Sequence, residues 1–178
     1  MVIIFVWALL EAVIFFFIPD VALTFYAVRN KGKVKLLMAN VVAIIGAVIG
    51  GIIVYIISTH HLAFVESVML KIPAVHEYMI EHVRTSLEEK SVFGLIEAPL
   101  FGVPYKLYAM LSYHEGISFL TFIIVSFFAR LLRFMLTSYI AYFLSHVVFK
   151  HLKASLKIYI WFIVWVIVYL IYFSIHTI

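Results

Sequence analysis

Arg130 and Arg133 lie three residues apart inside SFFARLLRFMLTSYI, a run otherwise free of charge. On a helix that spacing brings two guanidiniums to one face, and planar cationic forks suit either an oxyanion such as phosphate or a pair of carboxylates. The first apolar stretch supplies carboxylates at Glu11 and Asp20, and a Pro-Tyr-Lys segment supplies a third cation, Lys106, beside Tyr105. An ionisable side chain in hydrocarbon is costly and normally faces a partner or a water-filled cavity. Three readings of the arginine pair stay open: recognition of a phosphate or lipid headgroup, internal pairing with Glu11 and Asp20, and snorkelling to the membrane surface. Glu11 and Asp20 are candidate proton carriers or fixed counter-ions. Asp20, directly after Pro19, is also placed to cap a helix, and Lys106 either snorkels or faces a cavity. The tyrosines, Tyr105 and Tyr55 among them, are hydrogen-bond donors to a polar substrate or packed anchors with one satisfied hydroxyl.

These residues need elements to hold them. At 66% apolar and 12% charged, with mean hydropathy +1.17, the chain lies far outside soluble composition and reads as one all-α integral membrane domain over residues 1–178. Residues 36–59, 117–149 and 158–178 are spans by length and lack of charge, apart from the arginines; the last belongs to a C-terminal helix over 155–178. Gly46, Gly50 and Gly51 in the first span permit close helix approach. Two other apolar stretches are interrupted, one by Glu11 and Pro19-Asp20, the other by Pro99, Gly102 and Pro104. Proline removes a donor and clashes with the preceding turn. Broken backbone at membrane depth survives only inside protein or along a cavity, so both stretches are candidate re-entrant hairpins. The expected organisation is a first hairpin and span (1–59), an amphipathic connector (60–92), a second hairpin and span (93–149) and the final helix. Within the connector, Val75, Tyr78, Met79, Val83 and Leu87 recur at helical spacing. Interrupted segments in loosely matching halves point to a midplane substrate site.

Charge sets the expected orientation. Residues 29–35 and 150–157 are basic, whereas 60–97 hold three basic and six acidic residues. With three full crossings both basic loops share one side, which the positive-inside rule makes cytoplasmic, and 60–92 lies outside; the plasma (inner) membrane is the expected location. The N-terminus lacks a basic leader and carries Glu11, so it reads as mature structure rather than a signal peptide. A chain without cysteine has no disulfide or thiolate site, and neither His60-His61 nor His114 has metal spacing. No cofactor is expected. No nucleophile-base pair assembles from the motifs, which argues against an enzyme. Basic residues beside spans are explained by orientation and anionic lipid rather than nucleic acid.

In order along the chain, EAVIFFFIPDVAL, GAVIGGIIVY, FGVPYKLYAMLSYHEG and FFARLLRF resemble the DedA family, also called the SNARE-associated or VTT-domain family, and within it the small YqaA-like branch. The resemblance covers roughly residues 8–149. It maps the family's motif positions onto Glu11, Pro19 and Asp20; onto Gly46, Gly50, Gly51 and Tyr55; onto Gly102, Pro104, Tyr105 and Lys106; and onto Arg130, Arg133 and Phe134. Ile18 stands where a second proline is common, IISTHH replaces a glycine-containing turn, and SYHE precedes Gly116 in place of small residues. The resemblance implies two opposed re-entrant hairpins and movement of phospholipid or polyprenyl-phosphate carriers across the bilayer, in some members with the proton-motive force. The expected function is thus a flippase or scramblase for a phosphate-bearing lipid, with membrane lipids and protons as partners and homo-oligomers possible. A proton-coupled transporter of a small ion or solute and a non-transporting scaffold for envelope integrity are the alternatives.

Overall fold

The first helix fails after twelve residues. Val2–Val13 (α1) is apolar and buries Ile4, Ala8, Glu11 and Ala12 along one stripe, but three consecutive phenylalanines follow, and Pro19 disfavours helical backbone at Ile18. The chain leaves the helix at Ile14 and resumes as Asp20–Arg29 (α2), with Pro19 at its N-cap. At roughly 1.5 Å per residue α1 and α2 reach about 18 and 15 Å, short of a hydrocarbon core about 30 Å thick.

The computed structural model describes residues 1–97 and 103–176, and within them it is all helical, without strands. Pro99 and Gly102, expected breakers of the second interrupted stretch, lie outside the described residues. After α2 come Lys33–Met69 (α3), Glu77–Lys90 (α4), Val92–Glu97 (α5), Tyr105–Leu111 (α6), Phe119–Phe143 (α7) and Ala154–His176 (α8). One π-turn, Leu144–Val148, extends α7. Among the described residues three helices are long and apolar enough to cross a membrane: α3, α7 with its π-turn, and α8.

Two elements differ from the sequence expectation. The span foreseen at 36–59 ends in a kink at His61 (φ −133°, ψ 43°), and a further helical stretch not foreseen in the connector follows to Met69. The kink falls at the polar pair His60-His61, and the next proline along the chain is Pro73, followed by Ala74 at φ 60°. In the connector, α4 buries Met79, Ile80, Val83 and Leu87, while Tyr78 is 52% exposed. Once the buried stripe runs through Ile80, Tyr78 falls about 160° from Ile80 around the helix.

α3 and α7 run antiparallel at the centre. Asn40 pairs with Ser138 near one end, through Asn40 Nδ2 to Ser138 Oγ (3.0 Å) and Ser138 Oγ to Asn40 Oδ1 (3.1 Å). Near the other end Tyr55 stacks on Phe122. α1 packs along α3, α2 against α7, and α6 sits inside with all seven residues buried. α8 is outermost and packs on α2. The outer stripes Ile45, Ile49, Ile53, Ile56 of α3 and Leu132, Leu136, Ile140 of α7 are exposed, while Glu11, Asp20, Asn40, Lys106 and Arg130 are buried. Apolar outside and ionisable inside is the polarity of a chain in lipid.

Candidate functional site

The break between α1 and α2 frees backbone groups that need partners from elsewhere in the chain. Lys106 Nζ donates to the Phe15 carbonyl at 2.7 Å, Trp7 Nε1 to that of Phe17 at 2.8 Å, and the Ile18 N–H donates to the Tyr169 hydroxyl at 3.2 Å. Lys106 is 2% exposed, so it neither snorkels nor stands apart from the break. Pro104 opens α6 at the N-cap and places Tyr105 and Lys106 in its first turn.

Glu11 is positioned by backbone contact. A Cβ on Gly46 would meet the Phe5 carbonyl oxygen at 2.5 Å, and one on Gly50 the Leu9 oxygen at 2.6 Å and Ala12 Cβ at 2.7 Å. Their absence lets α1 lie directly on α3 and brings Glu11 to α7, where its Oε2 is 3.6 Å from Arg130 Nη2, both side chains almost fully buried. Gly51 performs the same service for α6, because a Cβ there would lie 2.8 Å from Tyr105 Cε1. The Tyr105 ring in turn carries the Arg130 guanidinium 4.0 Å from its centroid, with Phe134 at 5.6 Å on Arg130 as well. Among the described residues none of the three Arg130 guanidinium nitrogens makes a hydrogen bond. Charge and the aromatic face hold this cation.

Asp20 does not cap α2 with its side chain. It faces α7 instead, accepting from Thr137 Oγ1 through Oδ1 at 2.7 Å and standing 3.2 Å from Arg133 Nη2 through Oδ2. The two arginines therefore face separate acids and differ in access. Arg130 is sealed, with its side chain 1% exposed, and Arg133 is 19% exposed. Arg133 also lines a cavity of about 220 Å³ together with Glu11, Tyr105, Lys106, Tyr169 and Tyr172. Within this cluster three cations, Lys106, Arg130 and Arg133, meet two carboxylates, leaving one formal positive charge in excess.

No family model, curated protein or solved structure matches this chain. Its chemistry is accordingly read from the site. The structure brings Glu11, Asp20, Tyr105, Lys106, Arg130 and Arg133 together; Pro19, Gly46, Gly50, Gly51 and Pro104 shape the backbone around them. Gly102 lies outside the described residues. Tyr55 is packed away from the cluster, its hydroxyl donating to the Ile117 carbonyl at 2.8 Å. Among the described residues no group of three or more His, Cys, Asp or Glu could hold a metal.

Three contributors were not singled out in the sequence. Thr137 sits one helical turn beyond Arg133, and that i,i+4 spacing was its signal. Asn40 is a lone amide in an uncharged span, a signal for an interhelical hydrogen bond. Thr24 donates its hydroxyl to the Asp20 carbonyl four residues back at 2.6 Å and accepts from Trp161 and Trp165 at 2.9 and 3.0 Å, contacts across more than 130 residues that no local spacing signals.

Proposed function

We propose that this chain is a membrane transporter of a phosphate-bearing lipid, a flippase or scramblase of the DedA type. The observation carrying the reading is the buried cluster with one surplus positive charge, whose most accessible cation, Arg133, lines a cavity next to Lys106. A phosphodiester with a single negative charge matches that surplus, and charge-assisted contacts to phosphate are among the strong ones. In this reading Arg133 and Lys106 contact the phosphate directly. Arg130 contributes long-range attraction and fixes Glu11 and Tyr105, and Asp20 is the counter-ion that Arg133 leaves as the phosphate arrives. A lipid requires shielding of its headgroup alone, because its tails remain in the bilayer.

The interrupted segments are the two halves of the path, α1 and α2 forming one re-entrant hairpin and the stretch ending in α6 the other. The basic loops 29–35 and 150–157 lie on the cytoplasmic side of the plasma (inner) membrane and 60–92 outside. Glu11 and Asp20 are the groups through which a proton gradient would act.

The test is headgroup translocation in reconstituted vesicles, using a fluorescent phosphatidylglycerol whose outer-leaflet copies are quenched chemically. The wild type exposes inner-leaflet probe, and Arg133→Gln slows that exposure. A wild-type rate equal to that of protein-free vesicles would overturn the lipid reading, and movement of soluble phosphate alone would favour the small-ion transporter.

A further inference from the structure

Beside the charged cavity, α2, α7 and α8 enclose a second space, a groove of about 220 Å³. Thr24 and Val28 of α2 form its floor, and Ala141 and Leu144 of α7 face Val164 and Val168 of α8 across it. On α8 the lining extends from Lys157 to Val168, roughly 16 Å of helix. The groove adjoins the charged site at two points. Val168 lines both spaces, and Thr137, a wall of the groove, donates to the Asp20 carboxylate that pairs with Arg133.

The polar groups at its edge are already engaged within the protein. Thr24 serves Asp20, Trp161 and Trp165; Ser145 Oγ donates to the Val28 carbonyl at 3.3 Å; Lys157 Nζ donates to the Ser145 carbonyl at 2.6 Å. What faces the space is therefore hydrocarbon, suited to an apolar occupant and not to a hydrated solute. Its side toward the bilayer is open, since Leu144, Val164 and Val168 are each exposed by about two fifths to a half.

Building on the lipid-transport reading, we propose that this groove is the alkyl-chain subsite of the same lipid whose phosphate meets Arg133. The chain lies between α7 and α8 along the α2 floor, and the headgroup crosses from the bilayer past Val168 and Thr137 into the charged cavity. The ligand class is accordingly a phosphate-bearing lipid with at least one long alkyl chain, admitted laterally between α7 and α8.

The test is photolabelling of the full chain in nanodiscs with a phosphatidylglycerol carrying an aliphatic diazirine in mid-chain, followed by mapping of adducts. Labelling should concentrate on the groove face, at Ala141, Leu144, Val164 and Val168, over the outward face at Leu132, Leu136, Ile163 and Ile167. Unlabelled phosphatidylglycerol should compete, and diacylglycerol or inorganic phosphate should not. Ala141→Trp, which fills the groove, should reduce the adducts, and Ile167→Trp on the outer face should not. Equal labelling of both faces, or competition by diacylglycerol as strong as by phosphatidylglycerol, overturns the subsite. The labelling needs no transport, so the two ideas fail separately: flux without groove labelling removes the chain path alone, and groove labelling without flux removes transport while keeping the subsite.

Discussion

Two acid-arginine pairs in one cluster face different demands. Glu11 and Arg130 are both sealed, so removing one partner strands the other charge in a low dielectric, a change that typically costs about 3–5 kcal/mol. Glu11→Gln should therefore lower unfolding stability in detergent by that order, and Glu11→Gln combined with Arg130→Gln should recover much of the loss. A double variant as unstable as the sum of the singles would contradict the pairing. Arg133 is partly open and its acid has Thr137 as a second partner, so Arg133→Gln should cost less stability than Arg130→Gln. Sequence made these four ionisable residues visible because charges are conspicuous in an apolar chain. It did not assign partners, since Glu11 and Arg130 are 119 positions apart and local spacing carries no information on which acid meets which arginine. The capping role considered for Asp20 failed for the same reason, a tertiary partner outbidding local backbone donors.

The elements holding the cluster are set by glycine and proline. Gly50 faces the Leu9 carbonyl and Ala12 Cβ, and Gly51 faces the Tyr105 ring, so a methyl at either must move a neighbour. Overpacking of this kind typically costs about 1–3 kcal/mol. Gly50→Ala should destabilise by shifting α1 and with it Glu11, and Gly51→Ala should act on the Tyr105–Arg130 contact. Gly32→Ala, whose Cβ would meet only Lys35 methylenes at 3.7 Å, is the comparison; thermal unfolding in detergent ranks the three, and equal losses would contradict the close-approach account. The spans were legible because their composition is uniform over twenty residues or more, and the α1–α2 break because proline acts locally. The helical stretch between the His61 kink and Met69 was not singled out, because it lies beyond the uniform apolar run and has no interruption of its own to mark it.

At the scale of the molecule, the basic stretch 29–35 begins beside the end of α7 and its π-turn, which lead into the basic stretch 150–157. Tyr142 donates to the Lys31 carbonyl at 2.8 Å, and His146 contacts the Ala27 carbonyl at 3.0 Å. Arg84 pairs with Glu115 at the other end, at 3.3 Å. Because the chain has no cysteine, single substitutions report sidedness directly. Lys31→Cys and Lys153→Cys should react with a membrane-impermeant maleimide from the same side, the cytoplasmic one, and Glu81→Cys from the opposite side. Labelling of Lys31→Cys and Lys153→Cys from opposite sides would refute the three-crossing arrangement. The central claim, that Arg133 meets a lipid phosphate, is tested most directly by headgroup translocation in vesicles containing wild type or Arg133→Gln at matched folded yield. Loss of a charge-assisted contact worth about 1.5–3 kcal/mol predicts translocation about 10- to 100-fold slower in the variant, whereas equal rates for the two proteins would contradict it.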